Sequence, residues 1–316
     1  MSNARKLADN LPTEGQLSGR NRIINGAMEI AQRSTSATGS TASSILSVDR
    51  MHTHASGATY DSLQQSVTLG GETGLPVQFK NYFKFNVTTG ANNAAVWTTV
   101  EDVTKVQGTY TLSFYAKGVN PAGGNIDITT RQQFGSGGST ALDVLLGNFV
   151  LTSTWQRFTF TFTVASVAGK TINAGNYFRV MFHQPNDDNG TAAWNLQLTG
   201  WMLEEGSQAS PFEHEPVGVT LTKCQRYFYR LTYNKTSWMY PINTNNSNGY
   251  RRATIHFPTT MRTVPTCTAG IVHSGGTSGV DGGVWIGPDT VGVYVNNINS
   301  ETDYAYLNNL SADAEL

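Results

Sequence analysis

The sequence predicts an all-β chain: an antiparallel β-sandwich of jelly-roll type, then a second, smaller β domain, with an extended N-terminal arm in front. Three observations carry this. Apolar residues recur at every second position, as in Phe158, Phe160, Phe162 and Val164 against Thr159, Thr161 and Thr163, which is the period of a strand with one buried face. Glycine, at 32 residues, joins Asn and Pro in supplying turns between the runs. No long stretch carries a 3.6-residue apolar stripe, and regularly spaced strands without helices imply two stacked sheets.

Taken in order, residues 1–20 are polar, hold Pro12 and Gly15, and lack periodicity. Such an arm buries no core of its own and is ordered by a partner or not at all. Residues 21–217 carry the sandwich. Val77, Phe79, Phe83, Phe85 and Val87 are expected on one face, interrupted by Asn81. Tyr110, Leu112, Phe114 and Ala116 form another apolar series, Ile126 and Ile128 follow the turn at 121–124, and Phe178, Val180 and Phe182 repeat the pattern. Burying side chains of this size contributes about 1.5–3 kcal/mol each. Trp194, Leu196 and Leu198 alternate until Gly200, after which Trp201 and Leu203 continue the apolar series; a glycine at a register change reads as a β-bulge. Trp97, Trp155, Trp194 and Trp201 lie in or beside strand patterns and are expected in the core.

Pro211 and Pro216 stiffen the crossing into residues 218–316, the smaller domain. Val219, Leu221 and the run 224–229 read as a buried strand. Further strands are expected at 227–233, 238–242, 253–257, 284–286 and 291–295. Few large aliphatics make this a thin core, so a partner chain is expected, as a homotrimer with this domain in much of the contact.

Composition excludes several functions. A net charge of −1 with 14% charged residues and no basic run leaves no phosphate-binding patch, so nucleic acid is not an expected partner. No 18-residue apolar run offers a membrane span, and residues 1–20 lack the apolar core of a secretory signal. Two cysteines, Cys224 and Cys267, read as buried reduced thiols. No G-x-S-x-G, P-loop or H-E-x-x-H motif occurs, and no segment proposes two carboxylates opposed across a cleft. The expectation is a protein without catalytic activity.

Candidate sites are few. His52 and His54 place two imidazoles on one side of a strand, a minimal metal pair. Asp187 and Asp188, followed by Asn189 and Gly190, are oxygen-rich enough for a structural calcium, the one cofactor considered, although a full calcium loop has more ligands at fixed offsets and the segment also reads as a hairpin turn. Trp238, Tyr240, Tyr250 and Trp285 lie toward the loop-rich end of the second domain. Sugar rings stack on exposed aromatics, so these four are the expected glycan contacts.

Several landmarks resemble a known family. N-R-I-I-N-G-A-M-E-I-A-Q-R (21–33) with Asp49-Arg50, W-N-L-Q-L-T-G-W-M-L-E-E-G (194–206), A-S-P-F-E-H-E-P (209–216), L-T-K-C-Q-R-Y-F-Y (221–229) and F-P-T-T-M-R-T-V-P (257–265) stand in the order seen in bacteriophage tail-fibre and related virion structural proteins. Met51 stands where many of these carry Trp. T-Y-T-L-S-F-Y-A-K-G (109–118) and W-Q-R-F-T-F-T-F (155–162) resemble jelly-roll carbohydrate-binding modules. The resemblance implies a fibre protein made in the host cytoplasm and carried in the virion. It would attach to other virion proteins through the arm, with Ala4, Lys6, Leu7, Leu11 and Leu17 as contacts, and adhere to a host surface glycan. The alternative is a purely structural head-decoration, collar or neck fibre protein; a polysaccharide depolymerase is a third reading.

Overall fold

The computed structural model describes residues 19–68, 70–88, 93–185, 193–232, 249–273, 277–280, 286–298 and 305–316. The chain divides into two compact units, Met1–Val217 with Leu316, and Gly218–Glu315. The first holds eleven strands: β1 (Ser36–Ser40), β2 (His52–Ser56), β3 (Tyr60–Ser66), β4 (Asn81–Val87), β5 (Asn93–Glu101), β6 (Gly108–Val119), β7 (Ile126–Gln133), β8 (Leu142–Phe149), β9 (Gln156–Val164), β10 (Tyr177–His183) and β11 (Trp194–Glu205). They form a six-stranded sheet, β1-β3-β4-β11-β6-β9, and a five-stranded sheet, β2-β5-β10-β7-β8.

The alternating residues meet between the sheets. Phe114 of β6 and Trp201 of β11 each lie with ring centroids 4.6 Å from Phe182 of β10, so one phenyl ring joins the two layers. The expected bulge is present: the β11–β6 register shifts between Thr199 and Met202. Gly200 has φ +63°, and a Cβ there would sit 2.7 Å from the Phe79 ring, so both backbone and space call for glycine. The shift turns Trp201 and Leu203 back toward the core, where both are fully buried.

The 21–33 motif is a brace. Asn21 Oδ1 accepts from Leu203 N, and its Nδ2 donates to Trp201 O, 3.0 Å in each case. Asn25, at φ +62°, donates to the carbonyls of Ile30 and Asp49 and accepts from the amides of Glu29 and Ile30. One buried amide thus ties the entry segment to the residues just before β2.

Two sequence expectations are corrected. Val77 and Phe79 do not share a face with Phe83 and Phe85. Val77 is 77% exposed, and Phe79 packs with Leu75 and Trp155 on the outer side of the six-stranded sheet, whereas Phe83 and Phe85 lie between the sheets. A turn closed by Phe79 N to Pro76 O precedes β4, so the alternation before Asn81 belongs to a different backbone path. The run after Pro216 is not a strand at first: Val217–Gln225 is an α-helix, α1. Thr220 and Cys224, four residues apart, are its buried positions, while Val217 and Val219 are exposed, which is helical spacing.

The second unit continues with β12 (Phe228–Thr232), β13 (Gly249–His256), β14 (Thr266–His273), β15 (Thr277–Val280), β16 (Thr290–Ile298) and β17 (Ala305–Asp313). These form two three-stranded sheets, β12-β17-β14 and β13-β16-β15, around Met261, Val291, Val293, Leu307, Leu310 and Ala312. Cys224 and Cys267 form no disulfide, the first being buried and the second half-buried; burial pushes the Cys267 thiol up to about 11. Among the described residues no helix is long and apolar enough to cross a membrane.

Candidate functional site

The two outer faces of the sandwich differ. That of the six-stranded sheet is roofed: Leu75, Phe79 and Trp155 pack there with Tyr82, Tyr115 and Phe212. Glu72 bonds Trp155 Nε1 at 2.8 Å and pairs with Lys117. Burial works against the Glu72 carboxylate, yet the bonds from Lys117 and Trp155 hold it below its ordinary value.

The outer face of the five-stranded sheet is built from the residues between the core positions. Ala94, Val96 and Val100 of β5, Ile126 and Ile128 of β7, and Phe178, Val180 and Phe182 of β10 point inward, so their neighbours point out. Strand register arranges these in rows. One row runs His52, Trp97, Met181, Thr129, Leu145 across β2, β5, β10, β7 and β8. The next runs Thr99, Arg179, Arg131, Asp143. Tyr177 follows, between Glu101 and Gln133. On the other side of the Trp97 row lie His54, Ala95, His183, Asp127 and Asn148.

At the centre three groups form a stack. The His52 and Trp97 rings lie 5.3 Å apart and nearly parallel, and the Arg179 guanidinium carbon sits 5.6 Å from the Trp97 ring centre. Trp97 keeps part of its surface open. His52 is only 9% exposed, and its Nε2 is sealed from solvent without a partner among the described residues. Burial, reinforced by the charges of Arg50, Arg33 and Arg179, lowers its pKa to about 3, so it is a neutral ring at ordinary pH. The β2 edge is closed by residues before the strand. Arg50 is fully buried and donates to the Thr99 carbonyl and hydroxyl at 3.0 and 2.8 Å, and Arg33 stands 4.0 Å from Asp49. The β8 edge is open, with Leu145 62% exposed.

Polar groups elsewhere on the face are held in place. Arg131 grips Asp143 through two 2.6 Å bonds; that pairing raises the arginine and lowers the carboxyl. His183 Nε2 meets the Thr129 hydroxyl and its Nδ1 the Gln184 carbonyl, both at 2.8 Å. A sheet with fixed polar groups beside a half-open indole can receive the faces and hydroxyls of sugar rings.

Residues 86–188 match the family model for a carbohydrate binding domain. That span contains β5 to β10, and with them every strand of the five-stranded sheet except β2. The match supports carbohydrate binding as an activity of this unit. Among solved structures, one that is similar is tailspike protein 4 of bacteriophage CBA120 (13% identity, 58% of this chain, TM-score 0.38), of whose length the match covers only 21%. Another is the N-terminal cellulose-binding domain of a Cellulomonas fimi β-1,4-glucanase (16% identity, 50% of this chain and 90% of that one, TM-score 0.32). A third is a xylan-binding domain from Paenibacillus barcinonensis (13% identity, 55% and 94%, TM-score 0.32). No curated protein matches the sequence.

The residues singled out from sequence fall differently. Trp238, Tyr240, Trp285, Asp187 and Asp188 lie outside the described residues, as do Ala4, Lys6, Leu7, Leu11 and Leu17; Tyr250 lies in β13, its side chain outside the description. His52 and His54 occupy alternate positions of β2 on the outer face. Among the described residues no three His, Cys, Asp or Glu side chains gather to hold a metal. Trp155, Trp194 and Trp201 are buried, as expected, but Trp97 is not a core residue. Its period-2 companions, Ala95, Thr99 and Glu101, are small or polar, and this was the available signal for an outward face.

Proposed function

We propose that this is a non-enzymatic, glycan-binding fibre protein of a bacteriophage virion, with its glycan site on the outer face of the five-stranded sheet. The observation that carries the glycan site is the partly open Trp97, fixed between rows of polar groups on the outer face of the five-stranded sheet. The match of residues 86–188 to a carbohydrate binding domain supports the same reading. The landmarks at 21–33, 194–229 and 257–265 support the virion assignment by resemblance. Attachment to the particle through residues 1–20 and assembly as a homotrimer belong to this reading. Several weak sites on one particle then act together, which suits adhesion to a repetitive surface.

The test is affinity electrophoresis of the full chain through gels containing host envelope polysaccharides, beside the Trp97→Ala and Lys84→Ala variants. A polysaccharide that retards the wild type and Lys84→Ala, but not Trp97→Ala, supports the site; Lys84 lies on the opposite sheet. Equal retardation of Trp97→Ala places binding elsewhere. Release of oligosaccharide by the purified protein overturns the non-enzymatic reading.

A further inference from the structure

The candidate glycan face contains a cation that no carboxylate contacts directly, although Asp143 acts on it through its charge. Among the described residues Arg179 forms no hydrogen bond and no ion pair. Its Nε is sealed from solvent without a partner among the described residues, and its guanidinium carbon stands 5.6 Å from the Trp97 ring centre. The other charges on this face are otherwise engaged. Asp143 is held by both forks of Arg131. Asp127, two rows away, accepts from Asn125. Glu101 stands in the Tyr177 row. Arg50 is bound to Thr99, and Arg33 stands near Asp49. A desolvated guanidinium is costly unless an anion completes it, and the fork geometry of arginine matches a carboxylate in two parallel bonds.

We infer that this face selects glycans carrying carboxylates, such as uronic acid sugars, with Arg179 taking the sugar carboxylate while the ring contacts the open part of Trp97. Arg131, next along the row, keeps Asp143 engaged. The inference rests on the proposed glycan site and narrows it from sugars in general to acidic ones.

The experiment uses the full chain and two ligands of one skeleton, an oligogalacturonate and the same oligosaccharide with its carboxyls reduced to alcohols, with calorimetry as the readout. The acid should bind at least about tenfold more tightly at low salt, a difference of about 1.4 kcal/mol. About 0.5 M NaCl should erase most of that margin. Arg179→Met, which keeps an apolar stem against Trp97, should remove the selectivity, and Arg179→Lys should retain part of it. Circular dichroism and the thermal midpoint verify that both variants are folded. Equal or tighter binding of the reduced ligand overturns the inference and leaves the proposed function standing. So does selectivity that survives in Arg179→Met, because Arg179 is then only a cap on the indole. A sulfated dextran that binds more tightly than the galacturonate overturns the carboxylate assignment. Failure of acidic and neutral oligosaccharides alike, with no effect of Trp97→Ala on any binding, removes the proposed function itself.

Discussion

His52 shows what one residue's surroundings do to its chemistry. An imidazole with an ordinary pKa of 6.5 is held near 3 by burial first and then by three guanidiniums. The sign follows directly. As pH falls through 6.5 the unfolded chain takes up a proton at this site and the folded chain does not, so stability declines from there toward pH 3. The slope from this group is at most about 1.4 kcal/mol per pH unit. Urea unfolding at pH 7 and pH 4.5 checks it: His52→Phe should lose less stability between the two than the wild type, and parallel losses would show that His52 is not held neutral. The adjoining Trp97 sets the functional prediction at this scale. Trp97→Ala should cut affinity for a bound glycan about tenfold or more, since one well-made contact of about 1.4 kcal/mol is worth a factor of ten, with little change in melting temperature, because its indole is partly open. Sequence alternation places Trp97 in a strand without difficulty. It does not say which of the two faces is the inner one, and a tryptophan is read inward by default because apolar area favours burial.

Among the elements, β11 is the most demanding. It pairs with β4 on one side and β6 on the other and must carry both Trp194 and Trp201 to the same core across seven residues, an odd interval. The bulge at Gly200 makes up the difference. Gly200→Ala should destabilise the first unit by about 1–3 kcal/mol, from left-handed backbone strain and the forced retreat of Phe79, measurable as a lower urea midpoint; an unchanged midpoint would mean that the bulge relaxes freely. Other elements were harder to read. In α1 the β-branched residues Val217, Val219 and Thr220 favour a strand by propensity, yet the burial of Thr220 and Cys224 selects a helix. β17 is the central strand of its sheet and shows no clean alternation. Its register against β14 shifts between Gly270 and Ile271, so the buried Leu307 and Leu310 stand three apart.

At the scale of the whole molecule, the proposed trimer and the glycan site meet in one measurement. Light scattering at micromolar concentration should give three times the 34.2 kDa chain mass, and immobilised polysaccharide should retain the assembly far longer than any single site would. A monomer that binds as persistently would remove the trimer from the explanation. The sequence by itself determined the all-β class, the sandwich strands and the bulge, because period-2 burial and glycine at positive φ are local properties written into neighbouring residues. It also pointed to carbohydrate, through a resemblance. Only the tertiary structure pointed to the proposed glycan face. Trp97, Arg179 and His52 come from β5, β10 and β2, far apart in sequence, and they meet because strand order and register set His52 beside Trp97 in one row and Arg179 in the next. The same folding lays Val67, Leu75 and Phe79 over the outer side of the six-stranded sheet.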